Sequence, residues 1–376
     1  MALSDETLCS QGMGWIEETY SCITPSIYPS TTYARNPDLT YPRNRIYTRA
    51  DNPTYDQFSE LIKQLEKGAS SKLFSSGMAA AVAIFQALQS GDCVIFPEQV
   101  YSGIRKWVET NFKKFNIRYE YVRNNDLKEL QIVLDRSKPK IVWLETPSNP
   151  ELIITDLKAA IALSHSYGAM VVVDNTLATP VLTKPVEYGA DIVLHSATKY
   201  LCGHGDVLAG VLITREENDF WRNIEQIAHD GGALPGPFEV WLLLRGIRTL
   251  YLRMERICSN AQMIADHFSN FKGLEKVLYP GLKDSEGYET AKIQMSGKFG
   301  GLISFIVSGG KTKAIEVQGK VKVFKRATSL GTVESLIEHR ASYEGPGTKV
   351  PDNLLRLSIG IEKAEDLICD LEQALV

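Results

Sequence analysis

Cysteine is scarce in this chain and follows no pattern. Six residues, Cys9, Cys22, Cys93, Cys202, Cys258 and Cys369, contain no Cys-x-x-Cys pair. Neither a zinc site nor a disulfide framework is legible, and reduced thiols in a cytoplasmic protein are expected. Long apolar runs are missing too. Nothing approaches the roughly 20 residues of a membrane span, and the first 25 residues carry Asp5, Glu6, Glu17 and Glu18 rather than the apolar centre of a secretory leader. Charge of one sign is not in excess: 41 Lys and Arg face 45 Asp and Glu, a net charge of −4, which gives no footprint for a nucleic acid. No internal repeat is visible at solenoid periods. Gly203-His204-Gly205-Asp206 has neither the helix-opening glycine spacing nor the lysine of a P-loop or dinucleotide fingerprint.

What is there reads as globular. The chain has 376 residues, 44% hydrophobic and 23% charged, enough for two domains or one large domain with an appendage. Residues 1–54 read as an irregular arm, broken by Pro25, Pro29, Pro37, Pro42 and Pro53, yet too rich in Trp15, Ile16, Tyr20 and Ile23 to be a free tail. It lies either on its own domain or on a partner subunit. Residues 55–231 alternate strand and helix signals. Phe58, Leu61, Ile62 and Leu65 recur at helical spacing, and Lys72 to Ser75 is a short strand candidate. The runs at 93–96, 141–144, 170–173 and 192–194 are apolar on both faces, the pattern of a mainly parallel sheet covered by helices. After Gly231-Gly232 and Pro235-Gly236-Pro237, one long helix is expected over 238–268, then a smaller α+β domain to residue 376. The fold class is therefore α/β with a smaller α+β C-terminal domain.

Ligands of open α/β sheets sit beyond the carboxyl ends of strands, where this chain places Glu145, Asp174 and His195. Lys199 follows in His195-Ser196-Ala197-Thr198-Lys199. A desolvated lysine among small hydroxyl residues is a Schiff-base candidate. A buried aspartate beyond a strand needs a cationic partner. Taken singly each has a plain structural reading. Pyridoxal 5′-phosphate meets both demands, since its aldehyde takes the lysine and its ring nitrogen the carboxylate. Ser75-Ser76-Gly77-Met78, opening a helix former, supplies an anion cradle for its phosphate, or else simple N-caps. No His, Cys or carboxylate cluster has metal-ligand spacing. Cys202 reads as an inert buried thiol, His195 and His204 as supporting rather than catalytic groups, and His229 and His339 as weaker candidates for the site entrance.

Over about residues 25–376 the chain resembles the Cys/Met-metabolism (trans-sulfuration) family of fold-type I pyridoxal-phosphate enzymes, which are aspartate-aminotransferase-like. The resemblance rests on Tyr47-Thr48-Arg49-Ala50-Asp51-Asn52-Pro53-Thr54, Ser75-Ser76-Gly77-Met78, Glu145-Thr146-Pro147-Ser148-Asn149-Pro150, Val173-Asp174-Asn175-Thr176 and Ser196-Ala197-Thr198-Lys199-Tyr200. It continues through Ser329-Leu330-Gly331-Thr332-Val333-Glu334-Ser335-Leu336 and Leu355-Arg356-Leu357-Ser358. The resemblance implies that Lys199 binds the cofactor aldehyde and then acts as the mobile acid–base. It implies that Asp174 keeps the ring nitrogen protonated and that Tyr101 stacks on the ring and helps activate substrate. Gly77, Met78, Thr176, Ser196 and Thr198 are then cofactor-binding, while Tyr47 and Arg49 reach the cofactor phosphate of a neighbouring subunit. Arg356, assisted by Asn149 and Ser329, clamps the substrate carboxylate. A homotetramer of catalytic dimers, a sulfur amino-acid substrate and a cytoplasmic location follow, without a nucleic-acid or membrane partner.

The chain departs from the named subclasses at several places. Thr328 stands where γ-type enzymes often have glutamate, Leu330 where familiar β-lyases have an aromatic, and Ile104 where many relatives have threonine. Gly103 replaces the cysteine frequent in methionine γ-lyases, and Arg340 replaces the usual proline. Thr328 can hydrogen-bond a distal ammonium but not balance its charge. The expectation is accordingly β-elimination, cystathionine giving homocysteine, pyruvate and ammonia, with slow alanine racemisation as a side activity. γ-Synthase or γ-lyase chemistry is the alternative, and a non-catalytic binding protein on the same fold is the reading from a different class.

Overall fold

The computed structural model describes residues 3–345 and 348–376. Seven strands, β1 (Ser70–Phe74), β2 (Cys93–Pro97), β3 (Arg118–Val122), β4 (Ile141–Glu145), β5 (Met170–Asp174), β6 (Ile192–His195) and β7 (Gly210–Thr214), form one sheet in the order β1-β7-β6-β5-β4-β2-β3. The ladders from β3 through β2, β4 and β5 to β6 are parallel, and β7 alone runs against its neighbours β6 and β1. The sheet explains why these runs are apolar throughout. Val171, Val173, Val142 and Ile95 join one core, whereas Val172, Trp143, Val94 and Ile192 join a second core on the opposite face. Alternate side chains of each strand are buried on both sides, as covering helices require.

A smaller sheet holds β8 (Leu274–Leu278), β9 (Leu302–Val307), β10 (Lys325–Arg326), β11 (Leu336–His339) and β12 (Leu354–Ser358) in the order β10-β11-β12-β9-β8. All its ladders are antiparallel except β10 with β11. The fold is the large, mostly parallel sheet domain with a smaller α+β C-terminal domain that the sequence pattern and the family resemblance imply. Among the described residues no helix is long and apolar enough to cross a membrane.

Two expectations change. The helix expected over 238–268 is two helices, Pro237–Ile247 and Leu250–Phe268. The Gly246 carbonyl, which one continuous helix would use for the Leu250 amide, accepts instead from Thr249 N–H at 3.3 Å, Thr249 Oγ1 at 3.0 Å and Arg253 Nη2 at 2.9 Å, so a tighter turn braced by two side chains ends the first helix. The arm is also not irregular throughout. Asp5–Gln11 is a helix whose Ser4 side chain accepts from Thr7 N–H, and Cys9 is buried with its Sγ 2.9 Å from the Ile247 carbonyl. Beyond it, Trp15, Ile16, Tyr20, Ile23 and Tyr47 are exposed on this chain, while the Pro25 carbonyl accepts from Trp241 Nε1 at 3.0 Å.

Candidate active site

The parallel register brings Glu145 and Asp174 side by side at the carboxyl ends of β4 and β5, with β6 ending one strand further on. A cavity of about 250 Å3 opens there and is closed on its far side by β12 and the segment before β11. Its wall includes Gly77, Tyr101, Asp174, Lys199, Ser329 and Arg356. The sequence-predicted residues Met78, Asn149, Thr176, Ser196 and Thr198 line it as well.

Lys199 donates from Nζ to Ser329 Oγ at 2.7 Å. Burial, assisted by the positive charge of Arg356, lowers its pKa to about 8, so a substantial fraction is neutral amine near physiological pH. Ser329 is held at φ +86, a left-handed conformation that a serine adopts at a cost. Two contacts keep it there: the Lys199 ammonium on its hydroxyl, and Arg356 Nη2 on its carbonyl at 2.6 Å. The next turn needs glycine outright. Gly331 has φ +78, and a Cβ there would lie 2.7 Å from Tyr200 N and 3.1 Å from Lys199 C.

The cradle lies at the start of the Gly77–Gln86 helix. Ser76 Oγ accepts from Ala79 N–H at 3.0 Å and its carbonyl from Ala80 N–H at 3.1 Å. The first two amides, of Gly77 and Met78, are left at the positive end of the helix, beside the cavity. A Cβ on Gly77 would sit 2.8 Å from Ser196 Cβ, so glycine is what lets this helix end approach the Ser196 loop. Thr176 Oγ1 accepts from Ser196 N–H at 2.8 Å and braces that loop, while Thr198 Oγ1 is tied to Ala209.

Asp174 Oδ1 accepts from Thr176 N–H at 3.0 Å, which aims the carboxyl. Glu145 accepts from Tyr101 N–H at 2.9 Å and so fixes the turn that presents the Tyr101 ring. Burial raises the pKa of both carboxyls, Glu145 the more strongly because Asp174 is its neighbour. Burial also raises the Tyr101 phenol, which stays protonated at neutral pH.

Arg356 is held from three sides: by Asn149 Oδ1 at 3.2 Å, by the Ser329 carbonyl, and by Glu338 Oε2 at 2.6 Å. Strand register explains the last contact, because Glu338 of β11 is paired opposite Arg356 of β12. Burial lowers the Arg356 pKa to about 10 against the opposing pull of Glu338, so the guanidinium is charged at neutral pH. Its Nε is buried without a hydrogen-bond partner among the described residues. Glu338 had no motif to mark it. Arg340 was marked only as an arginine in a proline position, yet it is 2% exposed and lines the cavity together with Tyr343.

The remaining candidates lie outside. Tyr47 and Arg49 do not line the cavity of their own chain; the Arg49 guanidinium sits 5.9 Å over the Tyr47 ring on the arm. His195 is buried and 2.6 Å from Glu66, supporting the sheet beneath Asp174. His339 bonds Ser342 and the Asp352 carbonyl, and His229 is exposed beside Asp230. Cys202 is buried, which raises its thiol to about 11 and accords with an inert role. Among the described residues no group of three or more His, Cys, Asp or Glu side chains could hold a metal.

A lysine amine of lowered pKa, a carboxyl at the neighbouring strand end and a glycine-built helix terminus fit one planar group bearing an aldehyde, a ring nitrogen and a phosphate. Fold and site together define a fold-type I pyridoxal-phosphate enzyme. The chain belongs to the Cys/Met metabolism PLP-dependent enzyme family, whose model matches residues 7–376. Cystathionine gamma-synthase of Mycobacterium tuberculosis is 41% identical over 93% of this chain and 91% of its own. Cystathionine beta-lyase of Lactococcus lactis subsp. cremoris is 40% identical over 96% and 95%. The crystal structure of cystathionine gamma synthase from Xanthomonas oryzae pv. oryzae in complex with cystathionine superposes with a TM-score of 0.96 at 36% identity, covering 100% of this chain and 98% of that one. The protein is thus an enzyme of trans-sulfuration chemistry acting on sulfur amino acids, with pyridoxal phosphate as its cofactor, and the non-catalytic reading falls away.

Proposed function

We propose that the enzyme joins cysteine to an activated homoserine by γ-replacement, forming cystathionine. The observation that carries the reading is Lys199. Its amine has a pKa near 8 and is held by Ser329 at the cavity wall, on a flexible stem that can serve more than one carbon. γ-Replacement asks for such a base, because protons must leave both Cα and Cβ before the γ leaving group departs. When bound, the cofactor takes up the negative charge left on the carbon skeleton.

The other residues hold and orient. Asp174 keeps the ring nitrogen protonated. Gly77 and Met78 amides, with Ser196 and Thr198 and the bracing Thr176, receive the phosphate, and Tyr101 lies against the ring. Arg356 presents a planar fork to the substrate α-carboxylate, steadied by Asn149 and Ser329. Tyr47 and Arg49 belong, in this reading, to the phosphate site of a neighbouring subunit in a cytoplasmic homotetramer built from catalytic dimers.

The sequence expectation of β-elimination becomes the second reading. Thr328 at the cavity wall favours it, since no charge from that position grips a distal ammonium, and a β-lyase stands among the relatives. The γ-synthases among the relatives and solved structures weigh for γ-replacement. The two part on products. Purified enzyme given an O-acylhomoserine with cysteine should form cystathionine faster than it cleaves cystathionine. Rapid pyruvate release from cystathionine with negligible condensation would establish β-elimination instead.

A further inference from the structure

Arg340 is charged, 2% exposed, and part of the cavity wall. Its guanidinium is only partly engaged. Nε donates to Glu344 Oε1 at 3.1 Å, and Glu344 is itself tied to Thr348 Oγ1. Nη1 lies 3.4 Å from Glu338 Oε2, an oxygen already committed to Arg356 at 2.6 Å. Nη2 has no hydrogen-bond partner among the described residues. Its central carbon lies 4.8 Å from the centroid of the Tyr343 ring, which also lines the cavity. Its charge is felt at Tyr101, Glu145 and Lys199.

A buried guanidinium with idle donors on a ligand cavity is costly unless a ligand completes it. The missing partner is an acceptor with two coplanar oxygens. Arg356 already serves the α-carboxylate in the proposed reading, so Arg340 has a second anion to bind. We propose that Arg340, backed by Tyr343, recognises a second carboxylate at the distal end of the substrate. The enzyme would then select amino acids carrying an acid group at both ends over neutral analogues of equal length. The inference rests on the proposed α-carboxylate role of Arg356 and is indifferent to the choice between β- and γ-chemistry.

The carboxylate has two sources, the distal end of cystathionine or an acidic acyl leaving group. Competitive inhibition tests the class without turnover of the probe. On the native holoenzyme, L-2-aminoadipate should bind more tightly than L-norleucine, of the same chain length, by roughly tenfold or more. Arg340→Met should collapse that ratio, and Arg340→Lys should keep an intermediate one. The charge-balanced pair Arg340→Met with Glu344→Gln should behave as Arg340→Met does, which guards against misfolding caused by an orphaned carboxylate. Binding constants for cystathionine against S-propylcysteine, and for O-succinylhomoserine against O-acetylhomoserine, read from the cofactor absorbance or as competitive inhibition, then identify the source. A ratio near one in the native enzyme, or one unchanged in both Met variants, overturns the proposal. Failure of the γ-replacement reading would appear in product identity and leave the inhibition ratio intact.

Discussion

Four charged side chains, Lys199, Arg356, Arg340 and Glu338, set the electrostatics of the cavity. Two buried guanidiniums, Arg356 and Arg340, face Glu338, which offsets a burial penalty of several kcal/mol. Arg356 in turn keeps Lys199 below the ordinary lysine range. A neutral amine is needed to take the cofactor aldehyde, and the neutral fraction rises as pH passes upward through about 8. Cofactor uptake by the apoenzyme, followed by absorbance in stopped flow, should therefore speed up from pH 6.5 and level off above pH 8. Arg356→Met removes the charge that depresses the amine and leaves Glu338 to raise it, so the midpoint should move to higher pH. A rate independent of pH would contradict this. Lys199, Asp174 and Arg356 were legible because each lies in an ordered motif. Glu338 was not, because only the β11–β12 register brings it to Arg356.

Strand ends and one helix start do the positioning at the scale of elements. Continuous apolar runs mark β4, β5 and β6 and so locate Glu145, Asp174 and the Ser196–Lys199 loop from sequence. Strand β7 carries a similar run, Val211-Leu212-Ile213, but nothing local reveals that it inserts antiparallel between β1 and β6. The break at Arg248–Thr249 was hidden likewise, since it depends on Arg253 and Thr249 capturing one carbonyl. Glycine at position 77 is testable at this scale. Gly77→Ala puts a methyl 2.8 Å from Ser196 Cβ and pushes the helix terminus off the phosphate cradle. Cofactor affinity, measured by release during dialysis, should fall by roughly tenfold or more. The helix itself should be no less stable, because alanine is the better helix former. Unaltered retention of the cofactor would remove Gly77 from the cradle.

At the scale of the whole molecule, the proposed shared site turns on the arm. Its first helix is docked on its own chain through Cys9, but the stretch bearing Trp15, Ile16, Tyr20 and Ile23 exposes large apolar groups. Tyr47 and Arg49 lie on the same arm, away from the cavity of their own chain. Sequence left two homes for this arm because an apolar, proline-rich segment suits either. If the site is shared, Arg49→Ala and Lys199→Ala chains are each inactive alone, yet a mixed dimer has one site with both residues. Random subunit exchange should restore about a quarter of wild-type activity, read as product formation against mixing time. No activity in verified mixed dimers would place Arg49 outside a shared site.

The central claim is that one lysine, Lys199, carries the cofactor and moves the protons. Borohydride reduction of the native holoenzyme, followed by peptide mapping, tests it most directly. A single modified lysine is expected, in the segment Ser196-Ala197-Thr198-Lys199, together with a Lys199→Ala protein that neither fixes the cofactor nor turns over substrate. Cofactor fixed in the native enzyme to any other lysine would contradict it.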